Sequence, residues 1–325
     1  MRTRSLGTSG PDVTVVGLGC NNFGSRVDEQ GTRAVVDAAL EAGVTFFDTA
    51  DVYGNRGGSE ELLGKALEGR RDRVVLATKF GHEMWDGAPP NRGSREYVHS
   101  AIDASLKRLR TDVVDLYQYH RPDGVTPIEE TLGAMSELVD EGKVRFIGSS
   151  NFDSGLIAEA DELARTHSSN RCVSAQNEYS LLERSVESEL LPLCERLGIG
   201  VLPYFPLGSG LLTGKYRRGK PAPAGTRLAM RPERLTDEVF DQVEALEAFA
   251  KERGHSLLEL AFAWLLAQPA IASVIAGATK PEQVRANAGA GDWELDAQDA
   301  QALRALLDGQ LVPGLEGGRS GRPPT

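Results

Sequence analysis

Four polar side chains that can bind or transfer protons follow short apolar segments of this chain. Asp48 and Tyr53 lie in the segment FFDTADVYG, Lys79 ends the segment VVLATK, and His120 ends VVDLYQYH. Parallel α/β barrels carry their reactive groups at the carboxyl ends of successive strands, so we expect these four side chains to meet at one end of a barrel. A tyrosine, a lysine, an aspartate and a histidine together are suited to reducing a carbonyl group.

Each of the four side chains has a distinct role in such a reaction. Hydride addition to a carbonyl builds negative charge on its oxygen, which Tyr53 would protonate. The ammonium of Lys79 favours the phenolate, so we expect it to lower the pKa of Tyr53 from the ordinary value of about 10. Asp48, on the neighbouring strand, would pair with the buried Lys79. A neutral His120 would donate a hydrogen bond to the carbonyl oxygen and orient it.

Taken singly, each of these residues also has a structural explanation. Asp48 suits a turn and Lys79 a surface position, while Tyr53 and His120 suit the core. The joint pattern favours catalysis, because a lysine that follows an apolar stretch needs an anionic partner. A lyase or isomerase barrel with Lys79 as a Schiff-base lysine is an alternative, but it leaves Tyr53 and Asp48 without a role.

Strand-like and helix-like patterns alternate along most of the chain. Eight strand patterns with helical crossovers predict an α/β fold that closes into a (β/α)8 TIM barrel. An open doubly wound sheet is the alternative, and it is disfavoured because GLGCNNFG, after the first strand, lacks the G-x-G-x-x-G spacing. The predicted strands are 15–19, 45–49, 74–79, 113–120, 144–150, 172–179, 199–207 and 271–277. The predicted helices are 31–43, 59–67, 94–109, 126–142, 153–165, 185–198, 237–253, 256–267 and 281–289.

The two ends of the chain lie outside this alternation. Residues 2–14 have the pattern of a hairpin that caps the barrel bottom, and residues 296–308 that of an extra terminal helix. We expect one domain over residues 1–313. The tail at 314–325 is rich in Gly, Pro and Arg, a composition typical of disordered segments.

Two interruptions of the pattern carry further signals. Pro192 predicts a kink or a late start in the helix at 185–198. The Gly-, Pro- and Arg-rich stretch 208–236 is too long for an ordinary connection, which predicts a functional loop. Its segment GSGLLTGKY lacks the residue order of a P-loop, and no serine-hydrolase elbow occurs in the sequence.

The composition excludes several classes of function. With 40% hydrophobic and 26% charged residues among 325, the chain is an ordinary globular protein. A formal net charge of −11 makes nucleic acid and anionic membrane surfaces poor partners. The three cysteines are too widely spaced for a disulfide framework or a zinc site. The sequence shows neither a signal peptide at its N-terminus nor a membrane-spanning segment, so we expect a cytoplasmic protein.

The residues and their order resemble the aldo-keto reductase family over nearly the whole chain, in the branch that resembles the β subunits of potassium channels. The shared motifs are FFDTADVYG, the strand-end Lys of ATK, the strand-end His followed by RPD, and GSSNF. The resemblance implies a (β/α)8 barrel without a metal, NADPH bound across the C-terminal face, and a small-molecule carbonyl substrate. It makes Asp48, Tyr53, Lys79 and His120 the catalytic tetrad.

The resemblance also implies contacts with the cofactor. Ser150, Asn151 and Gln176 would hold the nicotinamide amide, and Tyr204 would stack on the nicotinamide ring. The resemblance also implies that Asp48 of the tetrad contacts the cofactor. The segment that would fold over the pyrophosphate contains Leu207, Gly208, Ser209 and Leu211.

The chain departs from the family pattern around the adenine. Many members place Lys-Ser at the end of the eighth strand and an Arg further on, where this chain has Gly277, Ala278 and Gln283. The resemblance therefore favours NADPH, with NADH as the alternative because two cations that would bind the 2′-phosphate are missing. The residues expected to contact the adenine end of the cofactor are Gly277, Thr279, Lys280, Gln283 and Asn287.

Substrate contacts follow less directly from the sequence. We expect them from Asn21, Phe23 and Trp85, together with His120 and the loop at 208–236. An apolar, aromatic wall suits aldehydes and ketones broadly, and the sequence selects neither one substrate nor an oligomeric state.

Two functions of different classes fit these observations. The first is an NADPH-dependent reductase of aldehydes or ketones. The second is a nucleotide-sensing, weakly catalytic interaction subunit on the same fold. The first is favoured, because the sequence carries no added N-terminal peptide of the kind that could act as a channel plug.

Overall fold

The structure of the protein, a computed structural model, describes residues 1–309. The tail predicted to be disordered, at 314–325, lies outside the described residues. The strands are β1 (Thr3–Ser5), β2 (Asp12–Thr14), β3 (Val16–Gly19), β4 (Phe46–Asp48), β5 (Val75–Phe80), β6 (Val114–Tyr119), β7 (Val144–Ser150), β8 (Cys172–Gln176), β9 (Gly200–Val201) and β10 (Val274–Gly277). The helices are α1 (Glu29–Glu41), α2 (Tyr53–Ala66), α3 (Arg95–Leu109), α4 (Ile128–Asp140), α5 (Ser154–Thr166), α6 (Leu190–Leu197), α7 (Asp237–Glu252), α8 (Leu257–Leu266), α9 (Pro281–Ala290) and α10 (Ala297–Gly309).

The eight strands from β3 to β10 form one parallel sheet. Their order is β10-β3-β4-β5-β6-β7-β8-β9, so neighbours in sequence are neighbours in space. A backbone bridge between Val201 and Ile271 joins β9 to the segment before β10 and closes the sheet. With helices between the strands, the fold is the predicted (β/α)8 barrel.

The N-terminal hairpin closes the bottom of the barrel, as the sequence predicts. Strands β1 and β2 pair antiparallel. Leu6 and Val13 of this hairpin are fully buried and join the apolar cluster inside the barrel. The guanidinium of Arg4 donates to the carbonyl oxygens of Ile271 (2.9 Å) and Leu266 (2.8 Å). The barrel interior is thus a packed core below the site, with its other members at Phe46, Ala77, Leu116, Val173, Leu202, Ala272 and Ile275.

Side-chain caps set where several helices begin. Ser94 accepts a hydrogen bond from the backbone of Tyr97 at the start of α3, and Ser256 and Glu259 form a capping box at the start of α8. Helix α6 begins at Leu190, which places Pro192 in its first turn, where a missing N–H costs little. The late start predicted from Pro192 is confirmed.

Two predicted strands end earlier than expected. Strand β8 ends at Gln176 rather than 179, and β9 covers only Gly200–Val201 of the predicted 199–207. Pro203 lacks an N–H for a sheet ladder, and Phe205 has a left-handed backbone with φ of 50°. The chain after β9 therefore leaves the sheet and carries Tyr204 onto the rim of the barrel.

The long loop at 208–236 contains three short 3-10 segments: Gly208–Thr213, Arg227–Met230 and Pro232–Arg234. Leu212 and Leu228 are buried, and the backbone N–H of Leu228 donates to the hydroxyl of Tyr216 (3.2 Å). These contacts fold the loop into an ordered unit.

Candidate active site

Lys79 and Asp48 form a buried ion pair at the carboxyl ends of β5 and β4. Lys79 Nζ lies 2.6 Å from Asp48 Oδ2 and 2.8 Å from the carbonyl oxygen of Thr49, and the Lys side chain has 0% of its surface exposed. Burial opposes the charge on Lys79, but Asp48 and the Tyr53 phenol favour it, and its pKa lies above the ordinary value. The lysine therefore stays protonated in the site.

Two glutamines bind the second oxygen of Asp48. Nε2 of Gln176 donates to Oδ1 at 3.0 Å and Nε2 of Gln118 donates to the same oxygen at 3.2 Å. The carboxylate thus has partners on both oxygens, which fixes its orientation toward Lys79. Sequence reasoning missed Gln118. The available signal was an amide side chain two residues before His120, a spacing that places both side chains on the same side of an extended segment.

Tyr53 stands above this pair because the backbone after it takes an unusual path. Residues Gly54–Gly57 have positive φ values, and a Cβ added at Gly54 would lie 2.4 Å from the carbonyl oxygen of Phe23. Because of this turn, α2 has regular helical backbone angles only after Gly57. The Tyr53 ring centroid lies 5.0 Å from Lys79 Nζ. The side chain is half-buried and lines a cavity.

The pKa of Tyr53 differs from the expectation. Burial raises the pKa of the phenol above its ordinary value, and the Lys79 ammonium, which acts in the opposite direction, does not offset burial. The prediction of a net lowering is wrong for the chain without a ligand. Tyr53 is accordingly protonated at neutral pH, which is the form that can donate a proton.

His120 is buried and neutral beside Tyr53. The two rings meet edge to face with centroids 5.6 Å apart, and His82 makes a second edge contact with His120 at 4.3 Å. Burial, aided by the charges of Lys79 and Arg121, lowers the pKa of His120 well below its ordinary value. Nδ1 of His120 is a buried atom without a hydrogen-bond partner among the described residues. The expectation of a neutral histidine agrees with this environment.

The predicted nicotinamide residues surround the same pocket. Nδ2 of Asn151 donates to the carbonyl oxygen of His120 (2.9 Å), and the Tyr204 hydroxyl donates to Oδ1 of Asn151 (2.8 Å). Ser150 is buried and donates to the carbonyl oxygen of Gln176 (3.0 Å). Asn151 adopts a left-handed backbone (φ 59°), which turns its side chain across the ends of the strands.

A cavity of about 440 Å³ runs from this cluster toward α9. At one end it is lined by Asp48, Tyr53, His120, Asn151, Gln176 and Tyr204. Along the rest it is lined by Leu207, Ser209, Gly277, Thr279, Gln283 and Asn287. Five of the predicted catalytic and cofactor residues do not line it: Lys79 and Ser150 are buried behind the wall, Gly208 and Leu211 lie in the 3-10 segment, and Lys280 is exposed before α9.

The end of the cavity near α9 is polar but uncharged. Thr279 donates from its backbone N–H (2.7 Å) and from its hydroxyl (3.1 Å) to Oε1 of Gln283. Arg285 of α9 is paired with Glu41 at 3.1 Å. No Lys or Arg from the stretch 277–291 lines the cavity.

The substrate residues predicted from sequence divide in two. Asn21 lines the cavity, and so does Cys20 beside it. Phe23 has 0% of its surface exposed and packs in the core, so it is a core residue rather than a wall of the pocket. Trp85 is 52% exposed and stacks on Tyr97 outside the cavity. The prediction of Phe23 as a substrate contact is wrong, because its side chain points into the core, a direction that the sequence does not give.

Four cations line the cavity that sequence reasoning did not single out. They are Arg26, Arg121, Lys215 and Arg227. Within residues 1–309 the single acidic residue in the lining is Asp48, which is already paired with Lys79. The cavity is therefore positive although the whole chain carries a net charge of −11. Two of them, Lys215 and Arg227, lie in the loop at 208–236, whose Arg-rich composition was the signal for Arg227.

The described residues contain no group of three or more His, Cys, Asp or Glu placed to hold a metal ion. Over the same 309 residues, no helix has the length and apolar character needed to cross a membrane.

Comparison with known proteins agrees with this geometry. A family model described as the Aldo/keto reductase family matches residues 15–308. A probable voltage-gated potassium channel subunit beta from Oryza sativa subsp. japonica is 39% identical over 300 residues, covering 88% of this chain and 90% of the relative. A probable aldo-keto reductase 1 from Glycine max is 38% identical over 325 residues, covering 97% and 90%. The protein named uncharacterized oxidoreductase YrpG from Bacillus subtilis is 38% identical over 314 residues, covering 94% and 95%.

Proposed function

The chain belongs to the aldo/keto reductase family, and from that premise we propose that it reduces aldehydes or ketones to alcohols with NADPH, with Tyr53 as the proton donor. Family membership supports an oxidoreductase that acts on small-molecule carbonyl compounds. The proposal adds the cofactor, the direction and the roles of individual residues.

The observation that carries this proposal is the arrangement of Tyr53 over a buried ion pair. Lys79 Nζ lies 5.0 Å from the Tyr53 ring centroid and 2.6 Å from Asp48. Burying a lysine is costly, and the ion pair with Asp48 offsets that cost. A lysine held in this place can stabilise a phenolate on Tyr53 when the proton leaves. A purely structural tyrosine would not need such support.

Each residue of the site has a separate role in the proposed reduction. Tyr53 enters the reaction protonated, because burial raises its pKa, and it donates to the oxygen on which negative charge develops. Lys79 then stabilises the phenolate, and Asp48 keeps the lysine in position. His120 stays neutral and supplies a donor that orients the carbonyl oxygen. A bound nicotinamide dinucleotide supplies the hydride.

The charges of the cavity fit such a dinucleotide. Arg26, Lys215 and Arg227 lie on the side of the loop at 208–236 and would neutralise a pyrophosphate. Asn151 and Gln176 carry the amide groups that can hold a carboxamide. Tyr204 lines the same end and offers a ring face for stacking.

NADPH is the cofactor that we propose, with NADH as the competing one. A 2′-phosphate near Thr279 and Gln283 would meet the side-chain NH2 of Gln283, the N-terminus of α9 and the exposed Lys280. We expect Lys280→Met to weaken NADPH binding about threefold to tenfold and to leave NADH binding unchanged, as suits one solvent-screened charge. Arg285→Met, which removes a charge already paired with Glu41, is the matched control. Equal affinity of the native chain for the two cofactors would contradict the choice of NADPH.

The experiment that tests the function is steady-state NADPH consumption with aromatic aldehydes, aliphatic ketones and sugars. Turnover that Tyr53→Phe lacks is the expected result. Tight NADPH binding without turnover on any compound would instead favour the second candidate, a nucleotide-sensing interaction subunit. That candidate draws on the relatives named as potassium channel β subunits. The proposal also includes a cytoplasmic location, which cell fractionation would check.

A further inference from the structure

Arg121 is the one cation of the cavity, among residues 1–309, that the proposed dinucleotide site leaves without a role. It follows His120 directly at the carboxyl end of β6 and lines the cavity. Its positive charge acts on His82, His120 and Tyr204, all at the catalytic end. The guanidinium therefore lies where the substrate, rather than the phosphates of a dinucleotide, would be.

The other three cations of the cavity form a separate group. The guanidinium of Arg26 donates to the carbonyl oxygen of Gly225, and that of Arg227 lies 4.8 Å from the ring centroid of Phe205. Burial and the charges of Arg26 and Arg227 lower the pKa of Lys215. These contacts tie all three to the loop at 208–236 and its neighbourhood. A pyrophosphate can take up their charge without involving Arg121.

Arg121 has no hydrogen-bond or ion-pair partner in the part of the chain that the structure describes. Other arginines near the barrel rim are engaged: Arg108 pairs with Glu60 at 2.7 Å, and Arg92 donates to the carbonyl oxygen of Gly81 at 3.0 Å. A guanidinium offers a planar pair of donors that matches a carboxylate. An unpaired one at the mouth of a reaction pocket is available to a substrate.

Among residues 1–309, the cavity lining offers Arg121 no free carboxylate. Asp48, the acidic residue of the cavity wall among residues 1–309, is held by Lys79. Burial and nearby charges lower the pKa of His82 to about 4 and that of His120 well below its ordinary value, so both rings are neutral at neutral pH. A substrate anion at this end would therefore meet Arg121 as its charged partner and the two imidazoles as neutral neighbours.

We propose that Arg121 is a specificity-determining residue that selects carbonyl substrates carrying a carboxylate. The inference rests on the proposed function, since it names the substrate class of the same site. It predicts that an acidic aldehyde or oxo acid is preferred over a neutral compound of the same shape.

Matched benzaldehydes test this preference. The ortho-, meta- and para-carboxybenzaldehydes are compared with the corresponding methylbenzaldehydes at saturating NADPH. We expect at least one carboxylate isomer to have a kcat/KM about tenfold or more above its methyl partner, as a charge-assisted hydrogen bond allows. The preference should fall as salt concentration rises, because Arg121 is exposed.

Variants show whether the preference for a carboxylate depends on Arg121 or on the overall charge of the protein. Arg121→Gln should remove the preference: the ratio of kcat/KM for each carboxybenzaldehyde to that for its methyl partner should fall to about one, mainly through a higher KM for the carboxylate, and Arg121→Lys should keep part of the preference. Arg33→Gln, which removes an exposed arginine of α1 outside the cavity, is the control and should keep it whole. A native enzyme without the preference, or an Arg121→Gln enzyme that retains it, would overturn the proposal.

A binding measurement keeps the two proposals distinguishable. Calorimetry with carboxybenzyl and methylbenzyl alcohols on the chain saturated with NADPH reports carboxylate recognition without turnover. If the chain binds the carboxybenzyl alcohol through Arg121 but reduces no aldehyde, the carboxylate site is supported and the reductase function is rejected. Turnover of aldehydes without any dependence on Arg121 would support the reductase and reject the site.

Discussion

Gln118 donates a hydrogen bond of 3.2 Å to the Asp48 oxygen that faces away from Lys79. Gln118 is buried on β6, the strand that His120 directly follows, so one segment of the chain supplies both a support for the anion and the neighbour of Tyr53. Asp48 is thereby held by donors on both oxygens, and its carboxylate is stable although only 3% of the residue is exposed. The ion pair with Lys79 depends on that support.

The losses of stability from removing the two partners of this pair should not add up. We expect Lys79→Met to lower the free energy of unfolding by about 3–5 kcal/mol, because it leaves Asp48 buried without its cation. The double variant Lys79→Met with Asp48→Asn should lose less than the sum of the two single variants. Urea denaturation of the four proteins measures the coupling.

The exposed pair of Lys65 and Glu29 provides the control for this cycle. Its atoms are 2.5 Å apart, but the two side chains are 40% and 62% exposed. Lys65→Met should therefore change stability by less than about 1 kcal/mol. Equal losses for Lys65→Met and Lys79→Met would show that burial does not set the strength of the Lys79 pair.

Tyr53→Phe should abolish carbonyl reduction while leaving NADPH affinity within about twofold of the native value, because only the donor hydroxyl is lost. Steady-state rates and fluorescence titration with NADPH measure the two effects. Tyr117→Phe is the matched control, since its hydroxyl is buried without a hydrogen-bond partner within residues 1–309. Its loss should leave turnover unchanged. Residual reduction by Tyr53→Phe at the native rate would assign the proton to another group.

The positions of the four tetrad residues could be predicted, because the sequence shows where each strand ends. The four tetrad residues each come at or just after a β-branched or apolar run, and a parallel barrel gathers such positions at one rim. Eight such units, together with the missing G-x-G-x-x-G spacing, predict the closed barrel over an open doubly wound sheet. The late start of α6 likewise follows from the fixed backbone angle of Pro192.

The sequence could not predict two kinds of property of the site. One is the direction in which a side chain points, and the other is the net effect of burial and nearby charges on a pKa. Phe23 lies close to Asn21 in sequence, yet one side chain is in the core and the other lines the cavity. The pKa of Tyr53 is set by the balance between burial and Lys79, and a sequence names the cation without giving the burial. Arg121 is one of many arginines until its position shows that it is unpaired among the described residues.

His82 should make the stability of the protein sensitive to mild acid. Burial lowers its folded-state pKa to about 4, below the unfolded value of about 6.5. Between these values the unfolded chain binds more protons, so stability is lost as the pH falls through that window. The melting temperature of His82→Gln should therefore fall less than that of the native protein from about pH 7 to about pH 5. A parallel fall in both proteins would remove His82 as a cause, and His167→Gln, at an exposed position, is the control.

Asp51 should have the opposite effect, because it is a buried carboxyl group without a hydrogen-bond partner within residues 1–309. Both of its side-chain oxygens are buried and lack hydrogen bonds among the described residues, and Glu60 lies near it. Burial, followed by the charge of Glu60, raises the pKa of Asp51 well above its ordinary value. The folded chain therefore binds more protons than the unfolded chain above about pH 4, and Asp51 lowers stability as the pH rises from there toward its folded pKa.

Asp51→Asn should thus stabilise the protein at about pH 8 by about 1–3 kcal/mol, a gain that shrinks as the pH falls toward about 3, where the carboxyl is protonated in both the folded and the unfolded state. Urea denaturation at several pH values measures the difference. Asp112→Asn, at an exposed position, should change stability by less than about 0.5 kcal/mol at each pH. A loss of stability for Asp51→Asn at every pH would mean that the carboxylate is charged in the fold and bound by a group such as an ordered water, rather than neutral and unpaired.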